Sequence, residues 1–85
     1  MPAREQLGEM LLLVGQPADA LREFEAVQKT EPRRFRAVHG AARAAELAGE
    51  QDVARRHYEQ LLEIASRADA GLPEVERARV FLAKR

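Results

Sequence analysis

The sequence predicts an all-α protein built of antiparallel helix-turn-helix hairpins packed side by side. Three observations carry this. Gly and Pro punctuate the chain at helical lengths, apolar residues recur three and four positions apart between them, and no alternating β-branched run is present to make a sheet. With 46% hydrophobic and 33% charged residues, the composition is that of a folding chain rather than a disordered one. Eighty-five residues make one small domain with a marginal core, so stacking or association would help it.

The first helix, about 3–14, contains five consecutive apolar residues, Met10 to Val14. At about 100° per residue they point all round the helix, so at least two neighbours must cover them. Leu7, Gly8 and Leu11 fit the seam against the next helix, and Met10 and Val14 are left facing away from it. Gly15-Gln16-Pro17 forms the first turn, with Gly suited to a left-handed C-cap and Pro to a first helical turn. The second helix, 17–30, shows Ala20, Phe24 and Val27 on one face, and Pro32 closes it.

The third helix, 35–48, ends at Gly49, and the fourth, 51–66, places Ala54, Tyr58 and Leu61 on its inner face. His57, on that outer helix, is expected to be exposed. The run Ser66 to Pro73 leads to the fifth helix, 73–84, with Leu72, Val75, Ala78 and Leu82 expected inward and Glu74, Glu76, Arg77, Arg79 and Lys84 outward. Connections of two to four residues within each pair force the helices antiparallel.

The chain also repeats itself. At an offset of 34 positions Leu13 falls on Leu47, Gly15 on Gly49, Ala20 on Ala54, Arg22 on Arg56, Phe24 on Tyr58 and Glu25 on Glu59. One further step places Leu47 on Phe81 and Arg43 on Arg77. A fixed period of this length is the mark of a stacked repeat architecture.

Leu7-Gly8, Ala20, Phe24 and Pro32, then Ala42, Ala54 and Tyr58, stand at the spacings of the tetratricopeptide repeat, and the chain resembles that family over residues 1–68. Arg4 and Val38 stand where the family pattern has Trp, Leu11 and Ala45 where it has Tyr, and Ser66 where it has the second Pro. The resemblance implies a short superhelix with one repeat at 1–34, a second at 35–68 and a capping helix at 69–85, within one domain that is part of a longer repeat protein. It also implies a non-catalytic scaffold whose first, third and fifth helices line a concave groove for a partner's peptide or helix.

Positions one period apart then form rows across the groove. Leu13, Leu47 and Phe81 make an apolar row, Glu9, Arg43 and Arg77 a second, and Glu5, His39 and Pro73 a third. Arg36, His39, Arg43 and Arg77 would offer donors to an acidic partner segment. The branch of the family that clamps chaperone tails uses Lys, Asn and Arg at groove positions occupied here by Glu5, Glu9, Gly40, Ala70 and Glu74, so that clamp is absent. Met10 and Val14 mark a face for a missing repeat or for self-association as a homo-oligomer.

Other function classes find little purchase. Fourteen basic and fourteen acidic residues cancel, but unevenly: net −3 over 1–31, +4 over 32–45 and −1 over 46–85. The Arg33 to Arg43 patch is the remote route to nucleic acid, with only Phe35 beside it to stack a base. Acid pairs such as Glu23 and Glu25 diverge on a helix and cannot work as a couple. No cysteine, metal-ligand spacing or Gly-rich phosphate loop is present, so neither metal, cofactor nor enzymatic activity is expected. No apolar segment approaches the ~20 residues that span a bilayer, and Glu5 and Glu9 interrupt any leader, so a cytoplasmic location is expected. Twelve Arg against two Lys, with abundant Ala, points to a GC-rich bacterial coding sequence.

Overall fold

A computed structural model describes residues 3–66, 69 and 71–84. Among them are five helices and no strand: α1 (Ala3–Leu13), α2 (Pro17–Thr30), α3 (Phe35–Leu47), α4 (Gln51–Ile64) and α5 (Pro73–Ala83). Ala70, one of the groove positions compared with the chaperone clamp, lies outside the described residues.

The two hairpin turns are copies of each other. Gly15 and Gly49 adopt φ of 80° and 83°, a conformation that only glycine reaches without strain. In each turn the Gly N–H donates to the carbonyl three residues back, Leu12 or Glu46, at 3.2 Å. The following N–H, of Gln16 or Glu50, donates to the carbonyl of Leu11 or Ala45 at 2.8 and 2.9 Å. This is the Schellman arrangement, which satisfies carbonyls at the helix end and sends the chain back antiparallel. Pro17 and Pro73 sit in the first turns of α2 and α5, where a missing N–H costs nothing.

Each helix packs on its chain neighbours, α1 also touching α3. The centre of the stack is α3, in which Ala37, Val38, Gly40, Ala41, Ala42, Ala44 and Ala45 are all buried. Six of these seven are Ala or Gly, and that is why α2 and α4 can both approach so closely. The aromatic repeat fills the gaps between hairpins. Phe24, with Ala20, Ala41 and Ala44, makes one core cluster, while Tyr58, with Val38, Ala54, Leu61 and Phe81, anchors the other.

Several expectations are corrected. Leu7 is not in the α1–α2 seam but 43% exposed, because the buried face of α1 runs through Glu5 and Gly8, and at helical spacing Leu12 continues it. Leu72 is likewise exposed: it is the residue that caps the start of α5, and the buried face of that helix is Val75, Ala78 and Phe81. His57 is not an exposed residue: its side chain is only 12% accessible, and Nε2 lies 3.1 Å from Glu25 Oε2 where α4 meets α2.

Candidate functional site

α3 and α5 both rest on neighbouring helices and scarcely touch each other, which leaves a cleft of about 620 Å³ between them. From α3 come His39, Arg43 and Glu46, spaced four and three apart and so carried on one face. From α5 come Glu74, Arg77 and Val80, with Phe81 behind them. Three cations, Arg43, Arg77 and Lys84, face three carboxylates, Glu46, Glu74 and Glu76, so the cleft is charge-balanced.

The back wall is rigid. The Tyr58 and Phe81 ring centroids lie 4.8 Å apart with planes tilted by 38°, a favourable aromatic geometry. The Tyr58 hydroxyl donates to Glu46 Oε1 at 2.7 Å, which aims this carboxylate from within the core. Burial, reinforced by the Glu46 carboxylate, pushes the Tyr58 phenol well above its ordinary value, so it stays a donor. Glu46 therefore reaches the cleft with one oxygen already engaged.

His39 is the polar group with an open valence. Its Nε2 is buried and makes no hydrogen bond among the described residues. Burial holds the imidazole below its ordinary pKa; Glu74 opposes this, while Arg77 and Arg43 add to it. His39 is thus neutral near pH 7 and still able to give or take one hydrogen bond. Arg43 and Arg77 take part in none of the ion pairs among the described residues, in contrast to Arg4, Arg22, Arg34 and Arg36.

The structure therefore brings together His39, Arg43 and Arg77 and separates the other candidates from them. Arg36 does not line the cleft: its Nη2 lies 3.7 Å from Glu9 on α1. Glu5 is no groove residue either, because it is buried beneath Arg34, whose Nε donates to Oε2 at 2.9 Å. The apolar row breaks up as well. Leu13 stands 88% exposed at the end of α1, Leu47 is 56% exposed, and Phe81, at 7%, is a core residue that shows the cleft only an edge. The row fails because α5 sets Phe81 against the Tyr58 ring, within the core cluster, instead of presenting it to the cleft.

Val80, Glu46 and Lys84 line the cleft and escaped the row-by-row reading. Helical spacing could have found them, since Glu46 follows Arg43 by three and Val80 and Lys84 follow Arg77 by three and seven. Among the described residues no cluster of side chains suits a metal ion, and no helix is long and apolar enough to cross a membrane. Compared with protein families, curated proteins and solved structures, the chain matches none.

Proposed function

We propose that this chain is a cytoplasmic, non-catalytic interaction module of the tetratricopeptide-repeat kind, whose α3–α5 cleft receives a peptide or helix of a partner protein. The repeat reading is supported by the two superposable Gly turns and by Phe24 and Tyr58, which play one packing role a period apart. The observation that carries the binding reading is the convergence of Arg43 and Arg77, with His39 beside them, on a cleft walled by Val80 and Phe81. Oriented donors over an apolar wall are what a recognition site needs: the wall gives contact area and the donors fix register.

The charge balance narrows the partner. A uniformly acidic segment would meet Glu46, Glu74 and Glu76 as well as the arginines. The fitting segment has one carboxylate for Arg43 and Arg77 next to a Leu- or Phe-sized side chain for the Val80 wall. An immobilised array of short peptides, probed with the wild type and with the double variant Arg43→Ala, Arg77→Ala, tests this. Wild type should retain peptides with that pairing and the variant should lose about tenfold or more in affinity, as loss of charge-assisted hydrogen bonds implies. Unchanged retention by the variant would show that the arginines are not contacts.

A further inference from the structure

Glu46 is a cleft carboxylate held from inside the core. Tyr58, fully buried on α4 and packed on Phe81, donates its hydroxyl proton to Oε1 at 2.7 Å. A side chain that would otherwise sweep a wide arc over the surface of α3 is thereby kept at one place on the cleft wall. Its charge is unanswered: Glu46 takes part in none of the ion pairs among the described residues.

The first hairpin shows that packing does not require this pair. One period back, Glu46 and Tyr58 become Leu12 and Phe24, and Leu12 packs on the core cluster that contains Phe24. An apolar pair thus does the same structural work one repeat earlier. Neither polar group suits its position alone. Tyr opposite Leu would bury a hydroxyl without a partner, and Glu opposite Phe would hold a carboxylate at the edge of the core without a donor. The hydroxyl and the carboxylate therefore enter together, and they enter in the hairpin whose α3 faces α5 across the cleft. Met10 and Val14, 60% and 61% exposed on the first helix and its turn, contribute nothing to that cleft.

A fixed carboxylate selects by charge. An acidic group brought beside it meets repulsion that Glu46 cannot relieve by swinging away, while a cation there completes a charge-assisted hydrogen bond. The cations of the cleft leave that place open, since Arg43, Arg77 and Lys84 are also in none of the ion pairs among the described residues. On α1, in contrast, Arg4, Glu5 and Glu9 all have partners. Both signs of charge stand available on one wall, and the complementary ligand carries both signs as well.

We infer, resting on the reading of the cleft as a peptide site, that Glu46, positioned by Tyr58, is its specificity-determining residue and that the partner segment carries a Lys or Arg beside its carboxylate and its apolar side chain. The arginines take the carboxylate, Val80 the apolar side chain, and Glu46 the cation. Tyr58 touches no ligand; it is a positioning residue that acts through Glu46.

Matched peptide pairs on the array, probed with the whole chain, test this. Each pair contains Asp or Glu with Leu or Phe, and at one further position either Lys or norleucine, which keeps the stem and removes the charge. The wild type should hold the Lys member of the retained pairs about tenfold more tightly, as one charge-assisted hydrogen bond implies. In Glu46→Gln that ratio should fall to about one, and in Glu46→Lys the preference should turn to peptides with Glu at the same position. Tyr58→Phe keeps the charge and loses its anchor, so the ratio should fall about threefold. The ratio separates recognition from stability, because partial unfolding weakens both members of a pair by the same factor. No Lys preference in the wild type, or one that survives Glu46→Gln, overturns the role of Glu46, while loss of binding in Arg43→Ala, Arg77→Ala still upholds the peptide site. A preference untouched by Tyr58→Phe overturns the positioning role. Retention of no peptide at all overturns the peptide site, and the role of Glu46 with it.

Discussion

Gly40 and Phe24 occupy one space between them: a Cβ added to Gly40 would stand 2.4 Å from Cε1 of the Phe24 ring. The other edge of the ring meets Gly8 in the same way, at 2.8 Å from Cζ. The aromatic that joins the first hairpin to the second is therefore seated in two notches cut from α1 and α3. Gly40→Ala should cost about 1–3 kcal/mol net, because overpacking outweighs the helix propensity gained. Urea denaturation measures it, and adding Phe24→Leu should return part of the loss. Additive effects would show that the ring and the notch are uncoupled.

Tyr58 gives the second hairpin a polar anchor as well as an apolar one. Tyr58→Phe should lose about 1–2 kcal/mol, since it leaves the carboxylate of Glu46 without its donor. The pH dependence has a definite sign. The folded phenol has its pKa raised above the unfolded value of about 10, so folding favours the protonated form. That stabilisation is full below about pH 10 and is lost as pH rises through the folded value. Alkaline titration of the melting temperature should fall more steeply for the wild type than for Tyr58→Phe.

The basic stretch after Pro32 divides into arginines with different work. Arg34 holds Glu5, which is only 4% exposed, and also reaches Glu31 at 3.3 Å, while Arg33 makes no ion pair among the described residues. Arg34→Ala leaves a buried carboxylate without its partner and should lower the melting temperature clearly, whereas Arg33→Ala should leave it unchanged. Differential scanning calorimetry of the two variants side by side decides this; equal effects would contradict it.

His39 predicts a weakening on the acid side. Its folded pKa is lowered, so the unfolded chain binds the proton more readily, and stability present above about pH 6.5 is lost as pH falls through the folded value. His39→Gln should flatten stability between about pH 7 and 5 relative to the wild type. NMR titration of the two imidazoles should place His39 below the ordinary value.

Much of the fold was legible in the sequence, and the reason is local. Gly15 and Gly49 end helices because the turn needs a positive φ, and Ala20, Phe24, Ala54 and Tyr58 announce buried faces by spacing alone. Gly40 carries no such signal, since nothing local reveals that an aromatic from another helix will press on it. The cleft was half legible. Arg43 and Arg77 emerged from the period, but the pairing of Arg36 with Glu9 and the burial of Phe81 depend on how α1 and α5 lie against their neighbours. Two more positions of Arg and Leu at the right spacing would have looked the same in sequence.

The proposed recognition between α3 and α5 leaves a signature on the backbone amides that line the cleft. Its most direct test is a titration of the isotopically labelled chain with the tightest peptide from the array, followed by amide chemical shifts. Perturbations should concentrate around His39, Arg43, Arg77 and Val80 and be lost in the Arg43→Ala, Arg77→Ala variant. Perturbations confined to the outer faces of α2 and α4, around Arg22 and Arg56, with the cleft silent, would contradict it.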